Sequence, residues 1–315
     1  MNRKAIIIGI SGKVLTKNEK KLIDKYKPWG IILFKRNISS FDKTQKLIKT
    51  IKSTIKDKNF PIMIDEEGGS VTRLSKILDN KVYSQRFFGK LYENDNRTLS
   101  ILYNNYINSI CSIFKILGIN INTVPVLDML KKNTHKIIGN RSYSFKVNII
   151  KKLSKICILN YKKNRIANVI KHIPGHGSAL SDSHKKLPIV FDNYNKLKKN
   201  DFICFKNSGS LFAMTAHIIY ASIDKKNPCT HSKTIINKII RKQIGFKGIL
   251  ISDDIGMKAL KYDLVTNANK SLKAGCNLVL HCSGNYSESL KLLKEMPLID
   301  KFTVKKTSEF YKFLS

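Results

Sequence analysis

Acidic residues are scarce in this chain: 22 Asp and Glu stand against 58 Lys and Arg, giving a formal net charge of +36 over 315 residues. Such a balance raises nucleic acid or an anionic membrane surface as a partner, but either would need a patch. No patch is present. Lysines run along the whole chain, interleaved with Asn and Ile, so the surface is read as evenly basic and solvated, with no nucleic-acid and no membrane partner. No run approaches the ~18 consecutive apolar residues of a membrane span. The apolar stretch 5–10 behind Arg3 and Lys4 is too short for a secretory h-region and no small-residue cleavage site follows it, so a cytoplasmic location is expected. CxxC pairs are absent as well. The six cysteines (Cys111, Cys157, Cys204, Cys229, Cys276, Cys282) are scattered through apolar segments, as free core thiols in a reducing compartment would be. Low-complexity linkers and composition breaks are also lacking, and 42% hydrophobic residues suffice for a substantial core. One catalytic domain over 1–315 is expected, with a terminal helix at about 301–315 packed on its outside.

What the chain does have is a rhythm. Short β-branched runs recur at 6–10, 31–34, 61–65, 119–124, 167–172, 211–217, 248–253 and 277–282. Continuous apolar runs of this length predict strands of a parallel sheet covered on both faces. Helical spacing lies between them: Leu47, Ile48, Ile51 and Ile55 share one face, as do Ile149, Ile150, Leu153, Ile156 and Cys157. Ser232 and Gly245 bracket an Ile-rich run as N-cap and C-terminal glycine. Strand alternating with helix predicts an α/β fold, a single-domain (β/α)8 TIM-type barrel. A doubly wound open sheet is the runner-up, but no GxGxxG follows the first run.

Ionisable residues collect where the predicted strands end: Asp65, then Lys171 with His172, then His217, then Asp253 with Asp254. Four strand ends meeting on one rim predict an active site at the C-terminal mouth of a barrel. The densest segment, 171–188, reads KHIPGHGSALSDSHKKLP, a Gly- and Ser-rich loop that is predicted to move over the mouth. Asp182 and His184 stand two apart in it. On an extended loop that spacing lets the carboxylate orient the imidazole, whose unperturbed pKa of about 6.5 suits a general acid and then base. A carboxylate fixed at the end of a buried strand suits a nucleophile, and Asp253 and Asp254 are equal candidates for it. Asp65, Arg73 and Arg141 carry the carboxylate and guanidinium groups that grip the hydroxyls and acyl group of a sugar. His172, His176, Asp182 and His184 form an alternative metal-ligand set, for a metal-dependent barrel hydrolase, although their spacing is not that of HExxH. A non-catalytic binder of anionic polymers, working through the basic surface, is the alternative of a different class.

The segments ILFKRN, DEEGGSVTRL, NTVPVLD, IGNRSYS, KHIPGHG followed by DSH and LP, MTAHIIYASID and GFKGILISDDIGMKA resemble, in order and spacing, the β-N-acetylhexosaminidases of glycoside hydrolase family 3. The resemblance runs from about Gly9 to Cys282 and is nearest to the short bacterial enzymes of peptidoglycan recycling. It implies a retaining hydrolase without metal or cofactor, a monomer of one barrel, and a cytoplasmic N-acetylglucosaminide substrate, GlcNAc-1,6-anhydro-muropeptide. It also implies Asp253 as nucleophile, His184 as acid/base, Asp182 as its supporting carboxylate, and Asp65, Arg73, Arg141, Lys171 and His172 as sugar-binding residues. Two departures are expected to bear on substrate affinity. The common DQEGGRVQR pattern reads DEEGGSVTR here, which places Glu66 and Ser70 beside Asp65, and Asn277 stands where the family usually carries Asp.

Overall fold

The computed structural model describes residues 2–131, 138–179 and 186–315. Its strands, in chain order, are β1 (Lys4–Gly9), β2 (Pro28–Leu33), β3 (Ile62–Ile64), β4 (Ile121–Asn122), β5 (Ala167–Ile173), β6 (Ile189–Val190), β7 (Phe212–Thr215), β8 (Ile219–Tyr220), β9 (Ile249–Asp254) and β10 (Leu278–His281). Eight of them close a parallel barrel in the order β1-β2-β3-β4-β5-β7-β9-β10, with β10 pairing back onto β1. Each contains or abuts one of the apolar runs. β6 and β8 form a separate two-stranded parallel sheet, which periodicity does not reveal because two residues a side give no period.

The helices are α1 (Lys17–Tyr26), α2 (Phe41–Ile55), α3 (Gln85–Asn94), α4 (Asn96–Leu117), α5 (Val147–Lys163), α6 (Tyr194–Asn200), α7 (Leu264–Ala274), α8 (Tyr286–Glu295) and α9 (Lys301–Leu314). In α2 the Ser40 hydroxyl accepts the Lys43 N–H and the left-handed Lys56 ends the helix. Leu47, Ile48 and Ile51 are buried while Lys46 and Lys49 face water, so the amphipathic stripe docks this helix on the barrel. Each such side chain contributes about 1.5–3 kcal/mol of transfer free energy. The Ser232 hydroxyl accepts the Ile235 N–H and Gly245 takes φ +77°, as their spacing predicts, but the segment between, Ile235–Gln243, is a wide π-type helix.

Ile7, Ile32, Met63, Ile121, Val169, Phe212, Ile251 and Leu280 pack into one cluster within the barrel. The terminal helix forms where expected, but it is more than an outer layer. Phe310 of α9 is fully buried, with its ring 6.3 Å from Trp29 and 5.4 Å from Phe212, and Trp29 Nε1 donates to Thr307 Oγ1 at 2.9 Å. Trp29 and Phe212 lie at the starting ends of β2 and β7, so α9 closes the barrel floor, opposite the mouth. All six cysteines are free and all but Cys282 are buried. Among the described residues no helix is long and apolar enough to cross a membrane.

Candidate active site

The strand ends deliver their ionisable residues to one place. Asp65 follows β3, Lys171 and His172 lie near the C-terminal end of β5, and Asp253 and Asp254 end β9. With Arg73, Thr123 and Arg141 they line a cavity of about 140 Å³ whose apolar wall is Phe34, Met214, Met257 and Leu280.

The polar side of that cavity is a lattice of alternating charge. Lys171 Nζ donates to Asp65 Oδ1 (2.5 Å) and to Thr123 Oγ1 (2.9 Å), and lies 2.5 Å from Glu67 Oε1. Arg73 Nη2 donates to the other Asp65 oxygen at 2.5 Å. Arg141 grips Glu67 with both Nε and Nη2 at 2.8 Å, the fork geometry of a bidentate pair. Burial pushes the Asp65 carboxyl up, but the Lys171 and Arg73 charges beside it outweigh that and hold it well below the usual range. Glu67 follows the same pattern: burial raises it, while Arg141 and Lys171 carry it below its ordinary value. Both carboxylates are therefore anionic at neutral pH.

Glu67 and Asp128 are the residues that sequence reasoning missed. Asp128 is fully buried, accepts the backbone N–H of His172 (3.2 Å) and of His176 (2.6 Å) on one oxygen, and holds His172 Nδ1 at 2.7 Å on the other. The imidazole is thus fixed with Nε2 toward Arg141, 3.5 Å from its Nη2. The available signal for Asp128 was its place at the end of an apolar run, NTVPVLD, where a lone carboxylate needs a reason to be.

Asp253 and Asp254 are told apart by their bonds. Asp254 Oδ1 accepts the backbone N–H of Gly256 (3.1 Å) and of Cys282 (3.2 Å), so it ties the end of β9 to the segment after β10. Asp253 Oδ1 accepts the Asp254 N–H at 2.8 Å, which orients the carboxylate on its strand. His217 does not line the cavity. It is buried behind β9, with Nδ1 on Thr230 Oγ1 (2.7 Å) and Nε2 on the Asp254 carbonyl (3.0 Å), and burial lowers its pKa.

Asp182 and His184 lie outside the described residues. The preceding root of their loop is tightly built: Tyr220 donates its hydroxyl to the Gly175 carbonyl at 2.5 Å, and a Cβ at Gly177 would stand 1.9 Å from the Met129 carbonyl oxygen, so only glycine fits there. Of the alternative metal set, His172 is held by Asp128, and His176 is fully buried, which pushes its pKa down to about 4. Among the described residues no three His, Cys, Asp or Glu side chains are grouped to hold a metal ion.

The two departures differ in their effect. Asn277 Oδ1 accepts from Arg241 Nη2 (2.8 Å) and the Leu250 N–H (2.9 Å) at the starting end of β10, so its expected influence on substrate affinity is replaced by a structural role far from the mouth. Glu66, by contrast, is buried directly beside Asp65.

Residues 7–307 match the family described as Glycosyl hydrolase family 3 N terminal domain. The chain belongs to glycosyl hydrolase family 3. As a family member it is similar to the Beta-hexosaminidase of Actinobacillus pleuropneumoniae serotype 5b, 30% identical over 88% of this chain and 81% of the relative. It is also similar to the Beta-hexosaminidase of Methylobacillus flagellatus, 29% identical over 88% of this chain and 80% of that protein. Its barrel superimposes on NagZ from Neisseria gonorrhoeae in complex with N-trifluoroacetyl-D-glucosamine with a TM-score of 0.87 and 26% identity, covering 100% of this chain and 91% of that one. The family 3 β-N-acetylglucosaminidase of Paenibacillus sp. str. FPU-7 gives 0.86 and 25%, over 98% of this chain and 60% of that structure. This chain is a glycoside hydrolase built on a (β/α)8 barrel.

Proposed function

We propose that this family 3 hydrolase is a retaining exo-β-N-acetylglucosaminidase, acting in the cytoplasm on GlcNAc-1,6-anhydro-muropeptides released from peptidoglycan. The observation that carries the reading is the shared cavity, in which Asp253 faces the lattice of Asp65, Arg73, Arg141, Lys171 and His172. At about 140 Å³ it is smaller than the ~300 Å³ of an ordinary drug-sized pocket, which suits one terminal sugar ring. The names of the relatives, Beta-hexosaminidase and NagZ, favour an N-acetylated sugar.

In the first step an Asp253 carboxylate oxygen bonds to the anomeric carbon as the bond to the leaving oxygen breaks, and protonated His184 gives that oxygen its proton. A glycosyl-aspartate results. In the second step neutral His184 takes a proton from water, the oxygen of that water bonds to the anomeric carbon, and Asp253 leaves with configuration retained. Asp182 orients His184 and stabilises its cationic form. An Asp-supported His thus replaces the carboxylic acid of the usual two-carboxylate scheme. Asp65, Lys171, Arg73, Arg141 and His172 hold the sugar hydroxyls and acyl group. We further read residues 1–315 as one catalytic domain that works as a monomer.

Incubation with 4-nitrophenyl N-acetylglucosaminide beside the matching glucoside tests the assignment. Release of nitrophenol from the first and not the second is expected. Equal rates on both would overturn the acyl-sugar preference, and no release from either would overturn the activity.

A further inference from the structure

Three carboxylates stand in a row at the mouth, and the middle one is held differently from its neighbours. Asp65 and Glu67 are paired with Lys171, Arg73 and Arg141. Glu66, 2% exposed, is held instead by N–H donors: Oε2 accepts the backbone N–H of Arg73 (2.6 Å) and of Leu74 (2.7 Å), and Oε1 accepts Asn80 Nδ2 (2.7 Å). Its own backbone is pinned to β4, since its N–H donates to Asn122 Oδ1 (3.0 Å) and its carbonyl accepts from Asn122 Nδ2 (2.8 Å). The side chain therefore staples residue 66 to residues 73 and 74 and closes the loop that carries both Glu67 and Arg73.

We propose that Glu66 is a positioning residue that, in its ionised form, fixes Arg73 for gripping the sugar, so that substrate affinity falls when Glu66 takes up a proton. The inference rests on the proposed sugar-binding role of Arg73. A carboxylate can accept all three N–H bonds at charge-assisted strength, whereas a carboxylic acid turns one acceptor into a donor. Glu66 protonated on Oε1 would point its O–H at the Asn80 amide nitrogen. Asn80 Oδ1 is buried with no hydrogen-bond partner, so a turn of that amide gives the new donor an acceptor at the expense of the Asn80 Nδ2 contact with Tyr106 (3.4 Å), and with its charge gone the Glu66 carboxyl holds Arg73 more weakly.

The surroundings leave Glu66 as the group that titrates. The small cavity behind it is lined by Tyr83, by Tyr103 and Tyr106 of α4, by Cys157 and Tyr161 of α5, and by Glu67. Burial holds Tyr103, Tyr106, Cys157 and Tyr161 above their ordinary values, so they stay neutral. Asp65 and Glu67 stay charged beside their cations. Burial also raises Glu66, against the pull of Asn80 and the two backbone N–H groups, so its ionised form costs the fold stability above that value and a neutral isostere relieves the cost.

The test is Glu66→Gln, with KM, kcat and melting temperature measured across mildly acid to neutral pH on 4-nitrophenyl N-acetylglucosaminide. At neutral pH the variant should show KM raised about 3- to 10-fold with kcat nearly unchanged and a melting temperature equal to or above wild type. The acid rise of KM expected of wild type should be absent from it. A lowered melting temperature with unchanged KM, or an acid limb in KM identical to wild type, would overturn the proposal. Should the variant fail to fold, wild-type affinity for N-acetylglucosamine measured from about pH 7 to about pH 5 decides: a fall supports the proposal and a flat profile overturns it. If wild type neither binds nor cleaves the N-acetylated sugar, the functional reading fails, which is a separate outcome.

Discussion

Lys171 Nζ lies 2.5 Å from Asp65 Oδ1, although 106 residues separate them in the chain. The same ammonium reaches Glu67 at 2.5 Å, so one buried cation holds the ends of β5 and β3 together and balances two carboxylates. Replacing it with the apolar Lys171→Met would leave each buried anion with one cation where it had two. A loss of about 3–5 kcal/mol in unfolding free energy is expected, measured by urea denaturation. A loss below 1 kcal/mol, roughly that of a surface pair, would show that the lattice is not coupled.

Asp253→Asn should lower kcat on an aryl N-acetylglucosaminide by at least about 10³-fold while leaving the fold intact. Asp254→Asn should do the reverse, since Asp254 Oδ1 receives the Gly256 and Cys282 N–H groups: its main effect should be a loss of about 1 kcal/mol in stability. Comparable kcat losses in the two variants would contradict the division of roles.

Asp182→Ala should slow turnover by about 10²–10⁴-fold on a substrate whose leaving group needs a proton, with KM little altered. A leaving group acidic enough to depart as an anion should recover most of that loss in the first step. Equal losses across leaving groups would remove proton transfer from its role.

Acid should unfold the protein through the mouth. Asp65, Glu67 and Asp128 are each held below their ordinary values against the pressure of burial, by Lys171 and Arg73, by Arg141 and Lys171, and by His172. A carboxyl lowered in the folded state adds stability above its unfolded pKa and loses it as pH falls through the folded one. Melting temperature should therefore drop below about pH 4, and Asp128→Asn should blunt that drop.

Prolonged dialysis against a chelator should leave hydrolysis of the aryl substrate unchanged, because the scheme uses only carboxylate and imidazole chemistry. Activity lost on dialysis and restored by a divalent metal would instead favour the His172, His176, Asp182 and His184 ligand set.

The barrel was legible because its strands are buried on both faces and so appear as unbroken apolar runs, such as Ile6 to Ile10 and Ile31 to Phe34, punctuated by charged residues where the strands open. The same logic marked Asp65, Lys171, His172 and Asp253, which do meet in one cavity. It overreached at His217, because a polar residue past a strand end can turn inward and serve a backbone carbonyl, as this one does for Asp254. It passed over Glu67 and Asp128 because the strand-end signal says where a carboxylate lies and not what it orients; their partners, Arg141 and His172, are 74 and 44 residues away. The placement of α9 under the barrel was likewise invisible, since helical periodicity tells which face is apolar but not what that face covers.

The position of Phe310 gives the two ends of the barrel different histories. Its helix follows all eight barrel strands in the chain, so the cover of Trp29 and Phe212 comes from a segment made after every strand of the sugar-facing rim. The lumen is sealed from below only when the last turns of helix emerge, and any cut that removes them would leave a greasy hole under an otherwise complete rim.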